Sequence, residues 1–441
     1  MKKTLRADTQ TIEKKFGETA FRLTQERSDF LLPQVLDFVR AKRWLNLRIL
    51  DKERNLPFAT SSRVALLFFV VLGFATAGFA RERGPRVEIV CPAPPIPVRI
   101  DEQQVLVYEL HVTNFDTVPL MLKRVEVFAN EESSGALSTL ADTTLSAEMM
   151  RVGEAMTMAS SSGGVKDTRV IEPGRRAVIF LWIELQPDRP APISLKHRMV
   201  FSVAADSATN ATLEDFQVPV SQESVPTLTP PFKGGIWLAG EGPANNSNHR
   251  RVITAIDGHI YSPERFAIDW VKVGPNGDSR HGSTTQNENW WGWGEPILAV
   301  ADGEITAVVD GITDNTPRVL PPVTLDNIAG NYVILQIASN RYVTYAHLQN
   351  GSIKVRLHDH VHRGDVLALL GNSGNTTGAH LHLQVTDRNS VLQSQGVPFV
   401  FGSFTYLGPG SDYELDKHVS VRWVDSVPPA NAVVQFESVK K

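Results

Sequence analysis

Gly378-Ala379-His380-Leu381-His382-Leu383-Gln384-Val385 alternates polar and apolar side chains without a break, and only an extended strand sorts such a run onto two faces. His380, His382 and Gln384 fall on one face, and Leu381, Leu383 and Val385 on the other. An apolar back with an imidazole-bearing front is a rigid platform for a metal ion or for acid–base chemistry. A third histidine, His347, stands 33 residues before His380 and follows the apolar stretch Tyr342-Val343-Thr344-Tyr345-Ala346. Zinc takes imidazole nitrogens and a carboxylate oxygen, and keeps one position for water where it does chemistry. The C-terminal half of the chain has both donor types.

At 441 residues, 42% hydrophobic and 21% charged, the chain can build two or three domains with sizeable cores. The net charge of −4 is unevenly placed: residues 1–63 carry 14 Lys/Arg and 8 Asp/Glu, +6, which leaves −10 beyond them. Nothing beyond residue 63 reads as a nucleic-acid footprint, and no nucleic-acid partner is expected. Residues 64–80 run uncharged between Arg63 and Arg81 and taper into Ala75-Thr76-Ala77-Gly78-Phe79-Ala80. That segment reads as a signal peptide or a membrane anchor. Either reading leaves the basic side in the cytoplasm and places the rest outside it, in the periplasm, the cell envelope or the medium. The lone cysteine, Cys91, excludes an intrachain disulfide and is expected as a buried, inert thiol.

The fold class expected is mainly β: an immunoglobulin-like β-sandwich over 87–225, a proline-stiffened linker over 226–235, a β-rich domain over 236–410 and a tail from 411 to 441. Leu106, Tyr108, Leu110 and Val112 alternate on one strand, and Ala177–Ile183 and Met199–Val203 read as others. Met149 to Gly164 reads as a mobile loop, and His111 and His197 as surface residues. The sandwich is expected as a spacer or binding module. In the second domain, Gly294-Glu295-Pro296-Ile297-Leu298-Ala299-Val300-Ala301-Asp302-Gly303 resembles Arg363-Gly364-Asp365-Val366-Leu367-Ala368-Leu369-Leu370-Gly371-Asn372. Each is a turn, a short apolar strand and a Gly-containing turn.

Gly294–Gly303, Tyr345-Ala346-His347-Leu348, Arg363-Gly364-Asp365 with Gly371-Asn372-Ser373-Gly374, and His380-Leu381-His382 together resemble the ordered motifs of the lysostaphin-type zinc endopeptidases. The resemblance covers roughly residues 249–400. It implies a zinc-dependent hydrolase of peptide bonds in peptidoglycan cross-links, with His382 and Asp269 as metal ligands. It also implies that His380 and His347 face the substrate as acid–base and oxyanion-stabilising or water-orienting groups. The family's pattern places a further histidine ligand four residues before the aspartate, and here that residue is Arg265. A guanidinium has no lone pair for zinc. His249, in the polar approach Asn246-Ser247-Asn248-His249-Arg250-Arg251, is the preferred replacement, with His259 the runner-up.

Bland readings stand beside these roles. His358, His360 and His362 mimic a second metal site, but a solvated loop before Arg363-Gly364-Asp365 is the better reading. Trp290, Trp291 and Trp293 suit a substrate-groove wall or loop packing equally well. Two alternatives to the peptidoglycan enzyme stay open: a wall-binding or regulatory protein with a decayed site, and a secreted peptidase acting on proteins.

Overall fold

The computed structural model describes residues 84–129, 135–153, 167–187, 189–410 and 419–437. The basic region and the uncharged segment 64–80 lie outside them, as do residues 154–164 of the expected mobile loop. Among the described residues no helix is long and apolar enough to cross a membrane.

The N-terminal part is two five-stranded antiparallel sheets around one core. Gln103–Asn114 pairs with Arg176–Glu184, so that Leu106 lies opposite Ile183 and Val112 opposite Ala177. The second sheet pairs Leu120–Ala129 with Ser194–Val203, which in turn pairs with Asp206–Pro219. Leu106, Tyr108, Leu110 and Val112 meet Leu122, Val125, Val127 and Phe201 between the sheets. Met149–Arg151, expected as part of a loop, is a strand against Arg176–Glu184.

Both faces of Gln103–Asn114 are covered. Its even positions fill the two-sheet core, while Val105 and Val107 join the core of the C-terminal domain. This sheet therefore packs directly against the domain that follows instead of standing off as a spacer. His111 and His197, expected on the surface, are 1% and 0% exposed: His111 lies on the second covered face of Gln103–Asn114, and His197 on the inner face of its own strand with Leu195, Met199 and Phe201. His197 is hydrogen-bonded to the Tyr108 hydroxyl at 2.7 Å, and its Nδ1 to the Phe216 carbonyl at 3.0 Å.

The C-terminal domain is built on one large sheet. Its central order runs Ala432–Phe436, Gly235–Gly240, Ile268–Lys272, Leu381–Thr386, Arg341–Leu348, Asn331–Ala338 and Gly303–Val309, all antiparallel. Two segments expected as connections belong to it. The expected linker contributes Thr227–Leu228, parallel to Val400–Phe401, and buries Leu228 and Phe232. The expected tail contributes Val421–Ser426 and Ala432–Phe436. These strands are short and gain their order from distant partners, which local alternation does not reveal.

The two similar motifs pair with each other. Pro296–Leu298 and Val366–Leu369 form a separate two-stranded sheet, with Ile297 opposite Ala368. Ile297, Leu367 and Ala368 pack into the same core as Val333, Val343, Leu381 and Leu383. Beneath the sheet lies an aromatic cluster in which Trp270 packs edge-on against Phe232, Phe401 and Phe436 at 5.4–6.0 Å between centroids. Cys91 is half-buried, and burial raises its thiol pKa to about 11, so it stays protonated at neutral pH.

Burial, with Arg176 and Arg265 nearby, lowers the pKa of His111 from 6.5 to about 4, and burial does the same to His197. The unfolded histidines take up protons as pH falls through 6.5, while the folded ones resist until about 4. Their contribution is thus complete above pH 6.5 and is lost on descent toward 4, by at most on the order of 3 kcal/mol each. Denaturant titrations at pH 7, 6 and 5 should show falling stability, with a shallower slope in a His111→Leu/His197→Phe double variant. Equal slopes in the two proteins would refute the assignment.

Candidate metal centre

Register brings the first pair together. Asp269 and His382 are direct partners on adjacent antiparallel strands, and Ala346 faces His382 from the other side. Directly opposed residues of a sheet place their side chains side by side. Trp270 is locked in the aromatic cluster on the opposite face, so Asp269 must project toward the histidines. His382 Nδ1 lies 2.9 Å from Asp269 Oδ1.

His249 arrives from outside the sheet. Gly235–Gly240 ends beside Asp269, and the chain then loops through Glu241 to a short 3-10 turn, His249–Arg251. His249 Nδ1 is 2.8 Å from the Glu241 carbonyl oxygen, so it carries the hydrogen and donates it, leaving Nε2 to face Asp269 Oδ2 at 3.5 Å. His259 lies elsewhere, exposed on the hairpin Thr254–Ile256/His259–Tyr261.

His347 reaches the site through a backbone irregularity. Strict alternation would put it on the Tyr345 side of its strand, the side that faces the core. Asn331 pairs with Leu348 while Val333 pairs with Tyr345, so Ala346 and His347 together oppose Tyr332. This is a β-bulge, and His347 takes a φ of 61°, a left-handed conformation uncommon for a non-glycine residue. The bulge turns the imidazole toward His380 and His382, with ring centroids at 4.8 and 5.7 Å. His347 Nδ1 donates to the Ser373 carbonyl at 2.8 Å.

The outer nitrogens of the other two imidazoles are anchored as well. His380 Nδ1 donates to the Gly378 carbonyl at 2.8 Å, and Thr376 Oγ1 lies 3.1 Å away. His382 Nε2 donates to Gln384 Oε1 at 2.8 Å, and Gln384 is itself held by its amide bond to the Val391 carbonyl. All four histidines thus use one nitrogen to fix the ring and direct the other inward, the arrangement that orients metal-binding imidazoles. Glu241, Ser373 and Gln384 are the supports that sequence reasoning missed. Only Gln384 carried a signal, its shared face with His380 and His382.

His249, Asp269 and His382 each offer a donor atom within 4.8 Å of the others. Zinc bonds of about 2.0–2.2 Å put tetrahedral ligand atoms roughly 3.3–3.6 Å apart. The 3.5 Å between His249 Nε2 and Asp269 Oδ2 matches that spacing, while the 2.9 Å between His382 Nδ1 and Asp269 Oδ1 is a hydrogen-bond distance. Burial opposes ionisation of Asp269, but His380 and His249 beside it hold its carboxyl well below the usual range. Burial likewise opposes protonation of His249, yet Asp269, Glu264 and the Glu241 carbonyl raise its pKa to about 10. A divalent cation would take over the charge those protons neutralise. His347 is pushed well below its ordinary value by burial and then by His380 and His382, so it is neutral with a free Nε2 lone pair.

The three donors and His347 line a cavity of about 310 Å³ with Glu241, Glu264, Ile328 and Ala329. The tryptophans are not part of that lining: Trp290 and Trp293 pack on the core, and Trp291 lies against His281. His358 and His362 are exposed, near Glu304 and Asp302, and His360 is exposed on the edge strand His360–Val361.

Residues 291–394 match the sequence model of Peptidase family M23. Over that segment the chain is similar to this lysostaphin-type family. Endolysin 2638A of Staphylococcus phage 2638A is 33% identical over 86 residues, 18% of each chain. The peptidoglycan DD-endopeptidase ShyA of Vibrio cholerae is 33% identical over 95 residues, 22% of this chain and 18% of ShyA. The match thus spans under a fifth of the length of these relatives. Among solved structures, the catalytic domain of lysostaphin from Staphylococcus simulans is 18% identical, with a TM-score of 0.21, covering 36% of this chain and 86% of that one. The M23 segment includes His347, His380 and His382 but begins after His249 and Asp269.

Close backbone approach sets His347. Gly330 has a φ of 61°, and a Cβ there would stand 2.3 Å from the Ser373 carbonyl oxygen that receives the His347 hydrogen bond. Gly330→Ala should cost about 1–3 kcal/mol of stability by overpacking. It should also release the His347 ring, read in the denaturant midpoint and the imidazole NMR signals. Wild-type values for both would show that the contact is not needed.

Proposed function

We propose that this M23 domain is a zinc-dependent endopeptidase that hydrolyses peptide bonds, its substrate the peptide cross-links of peptidoglycan. The convergence of His249, Asp269 and His382 on one point, with two more inward-directed imidazoles beside them, carries the reading. The names of the endolysin and the peptidoglycan endopeptidase support the substrate class. The placement that goes with it is export to the periplasm, the envelope or the medium, through cleavage of or anchoring by residues 64–80. The N-terminal pair of sheets is taken as an immunoglobulin-like sandwich.

Zinc held by the three donors would supply Lewis acidity, lowering the pKa of a coordinated water toward ~7 and polarising the scissile carbonyl. His380 Nε2 is buried and has no hydrogen-bond partner, and it lies 3.5 Å from Asp269 Oδ2. It is the group that takes the proton from the attacking water, and the neighbouring carboxylate then steadies the imidazolium. His347 orients the water through its Nε2 lone pair. Donation to an oxyanion would require a protonated His347, which burial opposes. The donor set supports a working site over a decayed one: Arg265 cannot bind zinc, and His249 lies with its Nε2 3.5 Å from Asp269 Oδ2.

His382→Ala should lose bound zinc, while His380→Ala should retain about one zinc per chain and lose turnover of cross-linked peptidoglycan by about 10²–10⁴-fold. Zinc content by elemental analysis and release of soluble wall peptides read the two effects. Full hydrolysis by both variants would sink the mechanism, and a zinc-free wild type would favour a binding protein instead.

A further inference from the structure

The most unusual feature outside the centre is a buried cluster of charges behind it. Glu109 is 0% exposed in the strand Gln103–Asn114 of the first sheet. Arg265 Nη2 donates to Glu109 Oε2 at 2.6 Å and Arg265 Nε to Oε1 at 3.0 Å, a two-pronged pair. Arg250 Nη1 closes on Oε1 from the other side. Arg250 and Arg265 are themselves 1% and 5% exposed. Removing one member of such a buried cluster is strongly destabilising, whereas an apolar set of equal volume is often tolerated as well. Stability alone therefore does not account for it, and the position of Arg250 matters: it directly follows His249.

A second set of contacts holds the same loop. Arg250 Nη2 donates to the Tyr108 carbonyl at 2.8 Å. Arg251 Nη2 donates to Glu148 Oε2 at 2.8 Å, and its guanidinium lies 3.9 Å from the centre of the Phe180 ring. Asn245 Nδ2 reaches Glu148 Oε2 at 2.6 Å and the Phe180 carbonyl at 3.1 Å. Tyr108, Glu109, Glu148 and Phe180 all belong to the N-terminal module. Within the C-terminal domain the loop is tied mainly to Glu241, through Ser247, Asn248 and His249.

We propose that the N-terminal two-sheet module is a positioning element of the metal centre, acting on His249 through Arg250, Arg251 and Asn245. The proposal rests on the reading of His249, Asp269 and His382 as zinc ligands. Arg265 stands where the family's pattern places a histidine, and it serves Glu109 instead. The third ligand comes from a loop whose outer side is gripped by another module. Glu109 and Glu148 stand outside the cavity lined by His249, Asp269 and His382, so they are positioning residues, not catalytic ones.

The test uses the full chain with Glu109→Gln, and Glu148→Gln as the milder variant should the first fail to fold. Zinc affinity is read by chelator competition, and hydrogen–deuterium exchange across 244–252 is followed in metal-free protein. Each folded variant should bind zinc about 10–100-fold more weakly, as loss of an outer support does. Amide exchange in 244–252 should quicken while Leu381–Thr386 stays protected. A folded variant with unchanged zinc affinity and unchanged exchange would overturn the positioning role, even if His382→Ala abolishes zinc and so upholds the centre itself. If wild-type protein binds no zinc, the functional reading fails on its own, and the exchange comparison still decides the grip: quickened exchange supports it, and unchanged exchange refutes it.

Discussion

The pairing of Asp269 with His382 across two antiparallel strands is the constraint on which the centre depends. A slip of one residue in that register would turn one of the two side chains to the aromatic face and separate the donors. The register is held from below, where Trp270, Phe232, Phe401 and Phe436 interlock, and from the side, where Ala346 meets His382. Packing of apolar groups on one face thus sets a polar geometry on the other. His347 obeys a different rule, since only the bulge at Ala346–His347 brings it to the same side. A residue in a sparsely populated backbone region, kept there by its surroundings, is characteristic of sites where geometry matters more than local comfort.

The strand Gln103–Asn114 joins the two halves of the described structure. One set of alternate side chains fills the two-sheet core, the other meets the C-terminal domain, and Glu109 sits in the second set. Charge burial of this kind is tolerable only when each partner is satisfied. The Gly396 carbonyl and Gln395 complete the shell of Arg265, and the Tyr108 carbonyl takes a hydrogen bond from Arg250. The residues flanking the centre are therefore committed to holding two modules together as well as shaping a cavity.

Much of the site was legible because alternation in a strand is a strong rule. His380, His382 and Gln384 were sorted onto one face from spacing alone, and Arg265 could be rejected as a ligand because its chemistry lacks a lone pair. His249 followed from that rejection and from its polar surroundings. What stayed hidden involved partners distant in sequence. Glu109 looks like an ordinary solvent-facing residue between Tyr108 and Leu110, and nothing local announces two arginines from beyond residue 249. His111 misled for the same reason, since alternation assumes that one face of a strand is wet, whereas His197 shares the inner face of Leu195, Met199 and Phe201 and its burial went unread. The strands of the expected linker and tail were missed because their order comes from partners elsewhere in the chain.

The position of Gly235–Gly240 has a consequence for how the molecule acquires its shape. This strand lies between Ile268–Lys272 and Ala432–Phe436, and Ile236 pairs with Gln435, 199 residues later. Closing so long a loop comes before the reward of its contacts, which makes such pairings slow to form. During synthesis, one flank of Gly235–Gly240 must wait with its backbone groups unpaired until nearly two hundred more residues have emerged. An open β-edge of that kind invites pairing with other chains, so the nascent protein passes through a vulnerable interval that the finished sheet conceals.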